Sequence, residues 1–430
     1  MKKFSSGCTL DCADICKFNV FVDNDKIKIE GDKLHPYTKG FICNKGRAHL
    51  ERLNHEKRIY CPLLKVNGEF KEITFDEALE IMSQKLKTYK ENFSQKSILY
   101  YTEYGSGSVL KDIGGIFFNF FGGASVSEGG SCWSAGIKAQ KYDFGSSKSH
   151  SLDDLLNSKS IFIWGKNPAN TSIHTMKAII EAKKNGSKII VIDPIKTETS
   201  KFADVYIRIN SGSDGALATS MAKIIIDRNL VDKEFIENYV VGFDEYKNYI
   251  DTLNLDELSE ECGVEVEKIE ELVNLYTNKY SSILIGYGMQ KYLNGGNNIR
   301  IIDSLASITG QIGFSGGGVN YANKVYPNIL NTDPYQSYKY ADNRVFDVSD
   351  ISEFIEQNID NNINHKENIK NYNKTDYSKN DKSENYINNE NHIKMAVITK
   401  SNMLNQLPNL NKLKESFRKI EFKVCFDLFI

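Results

Sequence analysis

The 430-residue chain contains no run of eighteen apolar residues, which excludes a transmembrane helix. It has no excess of charge of either sign. Its 54 basic and 56 acidic side chains leave a net charge of -2, which excludes a broadly basic nucleic-acid binder. The opening Met1-Lys-Lys-Phe-Ser-Ser-Gly-Cys8 lacks twin arginines and has no apolar stretch behind its lysines. No export signal is therefore expected, and the expected compartment is the reducing cytoplasm. The 40% hydrophobic and 26% charged residues are ordinary globular values, and the length suggests two or three domains. In that compartment, eight cysteines point to metal ligands or buried thiols rather than a disulfide framework.

Half of the cysteines crowd the N-terminus. Cys8, Cys12, Cys16 and Cys43 read C-x3-C-x3-C-x26-C, while Cys61, Cys132, Cys262 and Cys425 are scattered singly. Three thiolates on one loop and a fourth from a later loop can surround a [4Fe-4S] cubane, each of whose irons needs one ligand. Zinc is the rival, but its structural sites usually come as two close pairs. Between the third and fourth cysteines, Lys17 to Gly31 alternates apolar residues about an Asp-Asn-Asp turn, which predicts a β-hairpin that returns Cys43 to the first three. Lys45 follows Cys43 by two residues and is either a solvated lysine or a cation set beside an anionic cluster.

Thr74 and Glu77 form a capping box for a helix through about Asn92, with Phe75, Leu79, Met82 and Leu86 on one face. A Gly-rich stretch, Gly105 to Gly130, suggests close backbone approach to something bulky. Ser160 to Gly165, a helix from Ser172 to about Lys184, and Lys188 to Asp193 read as a βαβ crossover. Ile283 to Gly288, Met395 to Thr399 and Phe422 to Asp427 read as further buried strands. Ligands of such sheets lie beyond the carboxyl ends of the strands. The first crossover helix lacks a G-x-G-x-x-G fingerprint, which argues against a plain nicotinamide site. Amides and carboxylates at the loops suit a polar heterocycle with phosphates instead. From about Asn358 to Asn391 the chain is crowded with asparagine among Lys, Asp, Glu and Ser, and should be a disordered insertion.

Taken in order, these segments resemble the prokaryotic molybdopterin-dependent oxidoreductases, the dimethyl sulfoxide reductase family. The resemblance rests on the cysteine set with Gly40-Phe-Ile-Cys43-Asn-Lys45-Gly46, on Gly130-Ser-Cys132-Trp, and on Trp164-Gly-Lys-Asn167-Pro168. It continues through Ile192-Asp193-Pro194, Ser211-Gly-Ser-Asp214-Gly215, Gly286-Tyr-Gly-Met-Gln290, Thr309-Gly-Gln-Ile-Gly313 and Asn402 to Pro408. It implies a [4Fe-4S] cluster on Cys8, Cys12, Cys16 and Cys43, and molybdenum or tungsten held by two molybdopterin guanine dinucleotides. Cys132 falls where the family places the protein ligand to that metal, and a soft thiolate suits it. Lys45 falls where the family places a lysine between cluster and pterin. Gly165, Asn167, Pro168, Asp193, Gly212, Asp214, Gly215, Tyr287, Gln290 and Asn402 match its dinucleotide contacts, although Asp214 could equally cap the helix that follows it. His174 is left between a substrate-side donor and a plain surface residue.

The fold class expected is α/β: a small N-terminal iron–sulfur β-module, then doubly wound parallel-sheet domains of dinucleotide-binding type. The linear division reads 1–60 as cluster module, 61–350 as pterin-binding α/β region, 351–394 as insertion and 395–430 as the start of the second dinucleotide-binding half. The resemblance implies a further C-terminal β-rich domain that this sequence does not contain, so the chain reads as truncated. The function implied is a two-electron reaction on a small substrate such as formate or a sulfur or oxyanion compound. The alternative is a non-catalytic remnant, or a subunit needing a second chain. The partners implied are a ferredoxin-like or iron–sulfur electron carrier and a separate chain supplying the absent domain, with no nucleic acid and no membrane segment.

Overall fold

Strand Lys17–Asp23 pairs antiparallel with Lys26–Gly31, and Asn24 supplies the positive φ of 53° that the turn between them requires. The predicted hairpin therefore forms. Lys2–Gly7, for which no strand was expected, adds antiparallel on its other side and makes a three-stranded sheet. This computed structural model describes the chain apart from residues 11, 13, 25, 104–108, 324–330 and 360–391. The asparagine-rich segment falls almost wholly outside the described residues. Backbone contacts divide the chain into two compact units, residues 1–50 with 131–331 and residues 51–130 with 332–430.

In the first unit, behind the small sheet, runs a five-stranded parallel sheet in the order Val205–Ile207, Lys188–Ile192, Ser160–Trp164, Ser281–Ile285, Gly318–Asn320. The two central strands are buried along their whole length, as their unbroken apolar runs predict. Side-chain alternation then splits the core in two. Ile161 and Ile163 face the crossover helix Ile173–Lys184 through Met176 and Ile179. Phe162 and Trp164 face the helices Asp214–Asp227 and Gly295–Ile308. Each fully buried aliphatic here contributes roughly 1.5–3 kcal/mol.

The second unit holds another five-stranded parallel sheet, in the order Arg344–Asp347, Ser125–Glu128, Ile98–Thr102, Met395–Thr399, Phe422–Phe426. This redraws the linear division. Met395 pairs with Ile98, so 395–430 adds two strands to a sheet begun before residue 100. A strand buried on both faces needs two neighbours, and sequence order does not say how distant they are. The segment 351–394 also begins too early as an insertion. Ile351–Gln357 is a helix whose Ile351 and Ile355 pack with Leu413, and Asn358 accepts a hydrogen bond from the backbone of Ile393.

Helix Phe75–Asn92 carries the expected capping box, but Phe75 and Leu79 are exposed. Only its second half, Leu86 and Tyr89, joins the core with Ile98, Tyr100 and Met395. In the glycine-rich stretch, Gly105 and Gly107 lie outside the described residues, while Gly114 and Gly123 pack against the protein itself. A Cβ on Gly114 would meet the Tyr100 hydroxyl at 2.3 Å. Among the described residues no helix is long and apolar enough to cross a membrane.

Candidate cofactor site

The loop from Cys8 to Cys16 is closed at its base, where the Cys8 N–H donates to the Cys16 carbonyl at 2.8 Å. Cys16 is buried with Phe18 and Ile42, and Cys8 packs against that group. The hairpin delivers Cys43 to the start of the short helix Asn44–Arg47, where its sulfur accepts the Gly46 N–H at 3.4 Å. Burial pushes the Cys12 thiol up to about 12, and the Asp14 charge and Cys16 add to it. Burial likewise pushes Cys16 up to about 11, followed by Asp14, Cys8 and Cys43. Cys16 therefore lies within electrostatic reach of Cys8, Cys12 and Cys43, and charge on its neighbours opposes its ionisation. Such a set needs a cationic centre to hold it deprotonated. Among the described residues no three Cys, His, Asp or Glu side chains converge where a single ion could sit. A zinc ion needs every sulfur at about 2.3 Å, whereas a cubane offers a separate iron to each. The residues fit the cluster better than the ion.

Cys132 lies on an exposed turn that enters the helix Ser134–Phe144. The residue at the helix start, Trp133, makes no side-chain cap. Gln290, brought from the short helical turn Tyr287–Lys291, supplies one instead. Its Oε1 accepts the N–H of Ala135 at 2.9 Å, the N–H of Gly136 at 3.3 Å and the Tyr321 hydroxyl at 3.1 Å. Gly136 is required here, because a Cβ would stand 2.2 Å from the Tyr321 ring. Burial, with Tyr287 and Cys132 adding to it, holds the Tyr321 phenol well above its ordinary range. The Tyr287 ring meets Trp133 edge-on at 5.9 Å and Tyr321 at 5.1 Å. Lys166 sets its ammonium 5.2 Å from the Tyr287 ring centre, and burial lowers its pKa. Sequence reasoning missed the roles of Tyr321 and Lys166. Lys166 stood inside the quoted Trp-Gly-Lys-Asn-Pro motif, while Tyr321 had no local signal.

The other expected contacts in the first unit gather at the carboxyl ends of its strands. Gly165 has φ +60° and presses so close to Gly286 that a Cβ there would overlap its carbonyl oxygen, at 1.7 Å. Asn167 precedes Pro168, the first residue of a helical turn, and its Oδ1 accepts the buried Thr199 hydroxyl at 2.7 Å. Asp193 is buried after its strand, and its Oδ1 accepts the Ile195 N–H at 3.0 Å. Burial raises its carboxyl. Gly212 lies against the Tyr292 ring, and Gly215 beneath Asn298. Asp214 is the first residue of its helix rather than the cap. Its Oδ1 accepts the Trp164 indole N–H at 2.9 Å, and burial raises its carboxyl despite that bond. Asn167, Asp214 and Gln290 thus each spend at least one oxygen on the scaffold. Asn402 belongs to the second unit, where its N–H donates to Gln406 at 3.2 Å. Lys45 is exposed in the turn after Cys43. His174 is neither a surface residue nor placed as a substrate donor: it is 4% exposed and bonded to Asp14 at 2.7 Å.

Comparison with known proteins bears on both halves of this arrangement. Residues 1–55 match the family model described as the molybdopterin oxidoreductase Fe4S4 domain, and residues 58–430 match molybdopterin oxidoreductase. The chain is 34% identical to the probable oxidoreductase YyaE of Bacillus subtilis over 428 residues, 99% of this chain and 60% of that protein. It is 31% identical to formate dehydrogenase H of Escherichia coli over 336 residues, 74% of this chain and 46% of that protein. Acetylene hydratase from Pelobacter acetylenicus has the same fold, with a TM-score of 0.73 at 20% identity, over 100% of this chain and 61% of its own. The chain therefore spans about half to three fifths of the length of these relatives.

Proposed function

Because the chain belongs to the molybdopterin oxidoreductase family, with a molybdopterin and a [4Fe-4S] cluster as its cofactors, we propose that it serves a two-electron reaction on a small substrate such as formate or a sulfur or oxyanion compound. The observation that carries this reading is the exposed Cys132 on a turn held rigid by Gln290, in the same unit as the four-cysteine cradle. When bound, the metal–pterin group supplies the two-electron couple and the cluster a one-electron relay.

The chain's own residues divide the remaining work. Cys132 would hold molybdenum or tungsten through its thiolate. Cys8, Cys12, Cys16 and Cys43 would hold the cluster, and the exposed Lys45 would place a positive charge beside it. Asp193 would accept paired N–H donors from a guanine edge. Glycine backbone at Gly165 and Gly212 would let a dinucleotide approach closely. Tyr321 keeps its proton to high pH and donates it to Gln290, so it would help hold the Cys132 turn. Asn402, on the second unit, would serve the second of two guanine dinucleotides.

The formate arm of the substrate range is supported by the likeness to formate dehydrogenase H. A ferredoxin-like or iron–sulfur protein would exchange electrons with the cluster, in the cytoplasm. A second reading is a subunit that binds cofactor but needs another chain for turnover. Anaerobic assay of the metal-loaded chain with formate, thiosulfate, polysulfide and nitrate, against artificial electron carriers, separates the two. Turnover with any of them that vanishes in Cys132→Ala supports the enzyme. A chain replete in metal yet inert, and activated by an added polypeptide, supports the subunit.

A further inference from the structure

His174 is far in sequence from every cysteine, in the first turn of the helix Ile173–Lys184. Its ring is nevertheless sealed against the cluster cradle. Nδ1 lies 2.7 Å from an Asp14 carboxyl oxygen, with both side chains 3% exposed. Nε2 lies 3.3 Å from the Phe41 carbonyl oxygen, and the Phe41 ring packs edge-on at 5.3 Å.

The two acceptors stand on the two arms of the cradle. Asp14 lies between Cys12 and Cys16, and Phe41 lies two residues before Cys43. The other oxygen of Asp14 is buried with no hydrogen-bond partner. We propose that His174 is a positioning residue for the iron–sulfur cluster: one imidazole ties the three-cysteine loop to the loop of the fourth cysteine. The inference rests on the presence of the cluster. It also links the cradle to the parallel sheet of the same unit, because the helix that carries His174 is the crossover of that sheet.

The test uses the full chain, purified anaerobically as wild type, His174→Gln and Asp14→Asn. Iron per chain, the rate of iron loss to a chelator, and the cluster midpoint potential from an EPR-monitored redox titration are read for each. His174→Gln breaks the tie between the two arms, so iron loss should quicken by about ten-fold or more, the worth of a buried hydrogen bond, and the midpoint potential should leave the wild-type value. Asp14→Asn keeps an acceptor oxygen for the ring, so its rate of iron loss should stay near wild type. If His174→Gln does not fold, Asp14→Ala, which removes the other end of the tie, decides: quickened iron loss supports the role and a wild-type rate overturns it. Wild-type iron loss and potential in His174→Gln overturn the role with the cluster intact. A wild-type chain without iron contradicts the cluster itself, and the proposal falls with it.

Discussion

The side-chain oxygen of Gln290 accepts the backbone N–H of Ala135 at 2.9 Å, three residues past Cys132. A residue from one strand end thereby fixes the turn that presents a thiol on another segment. Removing the cap in Gln290→Ala should cost about 0.5–2 kcal/mol of stability and loosen the Cys132 turn. Gln290→Glu keeps the acceptor and adds a favourable charge at a helix N-terminus. We expect the Ala variant to lose melting temperature and bound molybdenum or tungsten together, and the Glu variant to keep both. Equal metal content in wild type and the Ala variant would show that the cap does not hold the ligand.

Lys45 is exposed, so Lys45→Ala should leave stability within about ±0.5 kcal/mol. A cation beside an anionic cluster favours its reduced form, so the variant's midpoint potential should fall and its reduction by a partner should slow. Thermal melts and a redox titration on the same preparation check both halves. A potential identical to wild type would remove Lys45 from the electron path.

The buried Asp303 gives a pH prediction. Gln140 donates to one of its oxygens at 3.1 Å, while the other oxygen and Asp143 Oδ2 are both buried without a donor. Burial above all, with Asp143 adding, outweighs the Gln140 donor and holds Asp303 well above the ordinary carboxyl range. A folded-state value raised above the unfolded one gives stability that is complete below about pH 4 and lost as pH rises through the folded value. Asp303→Asn keeps its protons throughout. Its stability relative to wild type should therefore grow as pH rises above about 4 in denaturant titrations. A difference that stays constant with pH would contradict the raised carboxyl.

Local pattern made much of this fold legible. The capping box at Thr74, the hairpin between Cys16 and Cys43, and the crossover around Ile173–Lys184 are each written within a few dozen residues. Strand pairing across the chain was not. Met395 finds Ile98 because both strands are buried on two faces, and periodicity cannot say which distant strand is the neighbour. The site divided the same way. Four cysteines announce their chemistry through residue type and spacing. Asp214 and Gln290 looked like ligand contacts by position, yet the structure commits their oxygens to Trp164 and to a helix N-terminus. Such partners are set by tertiary packing, as is the burial of His174, whose acceptors lie 160 and 133 residues away.

The central claim is that the cysteine set and the pterin-binding sheet hold an iron–sulfur cluster and a metal–pterin group on this one chain. Elemental and pterin analysis of anaerobically purified protein, with Cys12→Ala alongside, tests it most directly. The account predicts roughly four irons per chain, with molybdenum or tungsten and guanine dinucleotide present. In Cys12→Ala the iron and the broad visible absorbance should be lost. Stoichiometric zinc in place of iron, or a Cys12→Ala chain that keeps its full iron, would contradict it.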